Sequence, residues 1–114
     1  MMGLVQMKRN DCLQLVRLSN RKVNEIRTGE NEGKKHREVK ESICKALRDE
    51  GKYFVTEAIF KNGGRADILV LDDFKVIEIL DSESVESIRA KKGYYPKGLK
   101  VEVVKIGDIS GSGD

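Results

Sequence analysis

"GGRADILVLDDFKVIEILDSES", residues 63–84, contains two apolar runs, "RADILVL" at 65–71 and "FKVIEIL" at 74–80, divided by Asp72 and Asp73. Both runs are rich in β-branched residues and the paired aspartates favour a turn, so they read as adjacent antiparallel strands. Asp67 and Glu78 interrupt the runs. A carboxylate inside an apolar sheet is costly unless a cation, a hydrogen-bond donor or a proton accompanies it. The two positions therefore belong to a rim or to a functional site. Mirror pairing about the 72–73 turn sets Asp67 opposite Glu78.

Upstream, "YFVTEAIF" (53–60) followed by "NGG" (62–64) reads as a strand and a hairpin turn, which extends the pair to a three-stranded antiparallel meander. Residues 32–50 have helical spacing, with His36, Val39, Ile43, Ala46 and Leu47 on one stripe and Gly51 as the stop. Downstream, "SESVESIRAKK" has serine caps and early Glu83 and Glu86, with Arg89, Lys91 and Lys92 late, the charge order a helix dipole favours. "LKVEVVKI" (99–106) then returns as a fourth strand, parallel to the third because a crossover helix precedes it. The predicted order is αβββαβ, an α/β (α+β) fold with a central mixed four-stranded sheet flanked by helices.

Residues 1–31 fit no strong pattern; "DCLQLVRLSNRKVNEI" is compatible with a short strand followed by a helix, and the segment reads as an accessory arm or oligomer contact. Residues 107–114, small and polar, read as a tail, leaving 32–106 as the principal domain. At 114 residues the chain has room for one core. A second copy would add buried area, which makes a homodimer one expectation.

With 39% hydrophobic and 36% charged residues, the composition fits a globular protein with a heavily charged surface. No stretch approaches the roughly 20 apolar residues of a membrane helix. "MMGLVQMKRNDC" lacks a signal-peptide core, so the expected compartment is the reducing cytoplasm, with Cys12 and Cys44 as free thiols. Two cysteines, one histidine and no CxxC spacing do not make a Cys/His zinc site. The net charge of +3 permits nucleic acid without requiring it. The basic clusters "GKKHR" (33–37) and "RAKK" (89–92) are either solvated faces or a nucleic-acid surface involving Lys34, Lys35, His36 and Lys91.

Strand alternation places Glu57, Asp67 and Glu78 on three successive strands about 4.8 Å apart. Facing carboxylates repel unless one is protonated or a hard divalent cation lies between them, and Mg²⁺ or Mn²⁺ with oxygen ligands is the cation used in phosphodiester hydrolysis. The order αβββαβ, with Ala66-Asp67-Ile68 on the second strand and Glu78 within "VIEIL" on the third, resembles the PD-(D/E)XK restriction-endonuclease-like superfamily. The likeness spans residues 32–106, and within the superfamily it is greatest to small domains of the Holliday-junction-resolvase, repair and uptake-associated type.

The resemblance implies a metal-dependent DNA endonuclease, with DNA before RNA as partner. Asp67, Glu78 and the carbonyl of Ile79 would be metal ligands and Glu57 an auxiliary carboxylate. The lysine usual two residues after the glutamate is Leu80 here, and the residue before Asp67 is Ala66 rather than proline. Alternation offers Arg65, Lys61, Lys91 or Lys92 as substitute cations and puts Lys75 out of phase. The alternative is a catalytically weak or inactive nuclease-fold module that binds nucleic acid or a protein partner. His36 could contact the acidic site or simply pack. Tyr94 and Tyr95 could stack on bases, or close the sheet with wet hydroxyls. Asp81 and Glu83 suit either metal or helix capping.

Overall fold

A computed structural model of the chain describes residues 3–29, 32–80 and 95–106. Helix α1 (Leu4–Leu13) and a 3₁₀ turn (Leu18–Asn20) precede α2 (Lys34–Asp49), β1 (Phe54–Ile59), β2 (Arg65–Val70), β3 (Lys75–Leu80) and β4 (Lys100–Lys105). The sheet order is β1-β2-β3-β4, with the first three antiparallel and β4 parallel to β3. The architecture is α+β with a mixed four-stranded sheet. The helix expected after β3 lies outside the described residues, as do Asp81 and Glu83.

Helix α2 buries Val39, Lys40, Cys44 and Leu47. Ala46, expected on this stripe, is exposed, and Cys44 occupies the buried row instead. Gly51 follows the helix at φ +75°, a left-handed conformation that glycine adopts without a Cβ clash. The α2 row packs on Phe54, Ile68, Val70, Ile77 and Ile79 from one face of the sheet. The other face gathers Val55, Ala58, Phe60, Ala66, Leu69, Leu71 and Val76 with Cys12, Val16 and Tyr95. Both cysteines are free and buried, and burial pushes their thiols up, Cys12 to about 12 and Cys44 to about 11.

The strand-then-helix expectation for the N-terminal arm is corrected: the helix comes first, and the chain after it runs along β1. Isolated bridges join Val16 to Phe60 and Val23 to Val55. Side chains complete the contact. Asn20 Oδ1 accepts the Ile59 N–H at 2.7 Å, and Asn24 Oδ1 accepts the Phe54 N–H at 3.1 Å. The Thr56 hydroxyl donates to the Glu25 carbonyl at 2.6 Å and accepts the Arg27 N–H at 2.9 Å. The arm thus satisfies the edge of β1 that would otherwise expose unpaired backbone groups. Short polar residues in "SNRKVNE" serve here as backbone substitutes, which is why no strand period is visible in them.

Asp72, in the β2–β3 turn, ties α1 to the sheet. Arg9 Nε lies 3.0 Å from each Asp72 carboxylate oxygen, and its Nη2 donates to the Gly51 carbonyl at 3.0 Å. The guanidinium also covers the Tyr53 ring, 3.9 Å from the centroid. We expect Arg9→Ala to lower unfolding free energy by about 1–2 kcal/mol, because a charge-assisted contact and a stacked surface are lost together. A urea titration in which the midpoint falls with an unchanged slope checks this.

Candidate functional site

Regular alternation would place residues three apart on opposite faces of a strand, yet Val55 and Ala58 share one core, as do Ala66 and Leu69. The face changes at Glu57 and at Asp67. Ladder pairing runs Phe54↔Val70, Val55↔Leu69 and Thr56↔Ile68, omits the next level, and resumes at Ala58↔Ala66. Glu57 and Asp67 are the two residues at the omitted level. Glu57 has φ +49°, uncommon for a residue with a Cβ and a conformation that clusters at functional sites. The sheet pleat is therefore broken where two carboxylates meet.

The β2–β3 ladder ends in the same place. Its pairs are Ile68↔Ile77, Leu69↔Val76 and Val70↔Lys75, and one step further Asp67 stands level with Glu78. There Asp67 Oδ2 accepts the Ile79 N–H at 2.8 Å, so a side chain takes the place of the backbone ladder. Glu78 is 3% exposed and accepts a hydrogen bond from the Tyr95 hydroxyl. Tyr95 is thus not a wet rim tyrosine. It is buried, edge-on to Phe60, and its hydroxyl is held above its ordinary range by burial and by the Glu78 carboxylate.

Three side chains at the N-terminal end of α2 converge on Glu57 and Asp67. Lys40 Nζ, fully buried, lies 2.6 Å from Glu32 Oε1 and 3.4 Å from Glu57 Oε2, and donates to the Arg27 carbonyl at 2.5 Å. His36 Nδ1 lies 2.7 Å from Glu32 Oε1, and its Nε2 is 3.6 Å from Asp67 Oδ2. Glu32, His36 and Lys40 follow one another at four-residue spacing, one turn of helix apart. Gly29 lies against the Glu57 carboxylate, which a Cβ at that position would displace.

The two glutamates that share Lys40 respond differently. Burial alone would raise Glu32, but hydrogen bonds from Lys40, His36 and the Gly29 N–H outweigh it and hold the carboxyl below its ordinary range. Burial raises Glu57; Lys40 opposes the rise, and the charges of Asp67 and Glu32 add to it.

Glu57, Asp67 and Glu78 line one cavity of about 510 Å³ together with Arg65, Arg27, Gly29 and Tyr95. Four of the expected site residues, Glu57, Arg65, Asp67 and Glu78, are thus brought together, and His36 touches them through Asp67. Ile79 contributes its backbone while its side chain is buried in the α2-facing core. Lys34 and Lys35 are exposed in the first turn of α2. Lys61 is exposed and does not line the cavity, and Lys75 pairs with Glu102 at 3.2 Å. Leu80 is 1% exposed. Lys91, Lys92 and Tyr94 lie outside the described residues. Sequence reasoning missed Lys40, Glu32 and Arg27; the available signal was the 32, 36, 40 spacing, which places a lysine on the apolar side of an amphipathic helix.

Among the described residues no three His, Cys, Asp or Glu side chains form a ready metal cage. Asp67 and Glu78 are nonetheless hard oxygen donors of the kind Mg²⁺ accepts, usually as one or two carboxylates with retained waters. Among the described residues, the Ile79 N–H and His36 Nε2 both face Oδ2 of Asp67. Comparison with protein-family models, with curated proteins and with solved structures finds no match.

Removing the Lys40 charge leaves Glu32 and Glu57 without their shared cation. We expect Lys40→Ala to cost about 3–5 kcal/mol in denaturant unfolding, the range for breaking one side of a buried ion pair. The two glutamates should also give opposite pH signatures. The depressed Glu32 contributes stability that is present above its ordinary value of 4.5 and lost as pH falls through the lower folded value. Glu32→Gln should therefore flatten the acid limb of the stability curve below pH 4.5. Glu57, raised on folding, contributes stability present below 4.5 that is lost as pH rises through its folded value. Glu57→Gln should remove that decline, and thermal unfolding scanned from acid to neutral pH distinguishes the two.

Proposed function

We propose that the chain is a nuclease of the restriction-endonuclease-like type that hydrolyses phosphodiester bonds in DNA with Mg²⁺ or Mn²⁺. The observation that carries this reading is the convergence of Glu57, Asp67 and Glu78 on one cavity at a break in the sheet pleat. Asp67, Glu78 and the Ile79 carbonyl would hold the cation. When bound, such a cation polarises the phosphoryl oxygens and lowers the pKa of a coordinated water.

The chain's own residues account for the rest of the arrangement. The Ile79 N–H and His36 orient Asp67, and Tyr95 fixes Glu78. Lys40 holds Glu57 against the repulsion of Asp67, so it is a positioning residue. Leu80 is buried and offers no charge, whereas Arg65 is exposed and lines the cavity, which supports it as the cation that meets developing phosphoryl charge.

A second reading, a nucleic-acid-binding module without efficient catalysis, is favoured by the same Leu80 and by the engagement of Glu78 with Tyr95. Incubation of single-stranded, duplex and branched DNA with Mg²⁺ or Mn²⁺ separates the two. Cleavage that falls more than about a hundredfold in Asp67→Ala and in Glu78→Ala, beyond the loss usual for an outer-sphere residue, is expected for the enzyme. Binding without cleavage supports the second reading, and cleavage equal in wild type and both variants overturns the first.

A further inference from the structure

The cavity changes sign from floor to mouth. Glu78, 3% exposed, lies at depth, while Arg65 is exposed and Arg27 is half-buried on the arm. A third arginine adjoins them: Arg17 Nη2 is 3.9 Å from the position a Cβ would take on Gly63, which lines the cavity. Among the described residues none of these three guanidinium groups makes an ion pair or hydrogen bond. Arg9 is engaged with Asp72, Arg21 with the Val16 carbonyl and Arg48 with the Asn24 carbonyl, whereas exposed Arg37, outside the cavity lining, shares the unpaired state of the three among the described residues. Planar guanidinium groups around an anionic floor suit phosphate, which accepts them in bidentate fashion while the floor takes a cation.

Size limits what can enter. A volume of about 510 Å³ is within the range that holds one small molecule, so a single nucleotide can enter whereas a base-paired stack of two strands cannot. A phosphate reaches the level of Glu78 only by entering the cavity. In a duplex that requires the nucleotide to leave the stack, at an energetic cost a single strand escapes.

We propose that the cavity takes an unpaired nucleotide of a single strand, its phosphates held by Arg17, Arg27 and Arg65. The N-terminal arm is then part of the substrate site. Phosphate contacts carry no sequence information, so binding has little sequence preference. The proposal rests on the nuclease reading for the role of the floor, but its arginine contacts are testable without catalysis.

Fluorescence anisotropy of a labelled single-stranded oligonucleotide and of the matching blunt duplex, in EDTA over a salt series, tests it. Wild type should bind the single strand at least about tenfold more tightly. Arg17→Ala and Arg27→Gln should each weaken it and make log K against log salt shallower by about 0.7, the increment per phosphate contact on a single strand. Lys45→Ala, an exposed α2 change outside the cavity, should leave that slope nearly unaltered. Circular dichroism melts confirm folding of each variant. Equal or tighter binding of the duplex, unchanged slopes in the arginine variants, or no binding at all overturns the proposal. Single-strand preference with arginine-dependent slopes but no metal-dependent cleavage removes the nuclease reading alone, and cleavage with unchanged slopes removes this proposal alone.

Discussion

The ammonium of Lys40 is fully buried and meets Glu32, Glu57 and the Arg27 carbonyl, which belong to three different parts of the chain. A lysine in that position is tolerable only because each of its protons has an oxygen to meet and two carboxylates share its charge. The contact has structural consequences at each end. It fixes the arm at Arg27 after its run along β1, sets α2 over the sheet, and draws the Glu57 side chain toward α2 at the level where the pleat fails. Glu57 itself sits at φ +49°, a costly conformation for a residue with a Cβ that its surroundings must offset.

Two strands break their alternation at the same level, and this matters more than the presence of acidic residues. In an unbroken pleat Asp67 would share a face with Leu69 and Leu71, both in the apolar core against the arm. Because the face changes at Glu57 and Asp67 together, the β1–β2 register is kept on both sides while the carboxylates open onto a cavity. Asp67 then uses Oδ2 to satisfy the Ile79 N–H. The sheet loses one rung of ladder and gains a polar recess at its end.

Within that recess Tyr95 and Glu78 are buried, Glu57, Asp67 and Arg27 are half-buried, and Arg65 is exposed. Such a distribution suits an anion that approaches through the arginines toward a cation held by carboxylates, in keeping with the phosphodiester chemistry proposed from the convergence of Glu57, Asp67 and Glu78. The arm, outside the expected 32–106 domain, contributes Arg27 to the cavity and brings Gly29 against the Glu57 carboxylate.

The four strands and α2 were legible in the sequence because each depends on local periodicity, whereas α1 was not: the apolar runs at 65–71 and 74–80 became β2 and β3, and residues 32–50 enclosed α2. So was the register about the 72–73 turn that sets Asp67 level with Glu78 one step beyond the last ladder pair, since a short turn fixes register. The membership of His36 in the helical stripe was visible as well. What tertiary structure alone decided was the placement of the arm and the identity of the buried cation. Asn20, Asn24 and Thr56 join the arm to β1 through side-chain hydrogen bonds, which leave no period in a sequence, and Lys40 meets Arg27 and Glu57 across 13 and 17 residues of chain. A lysine on an amphipathic helix reads as solvated until the carboxylates that would neutralise it are brought within 3.4 Å by the folding of the whole chain.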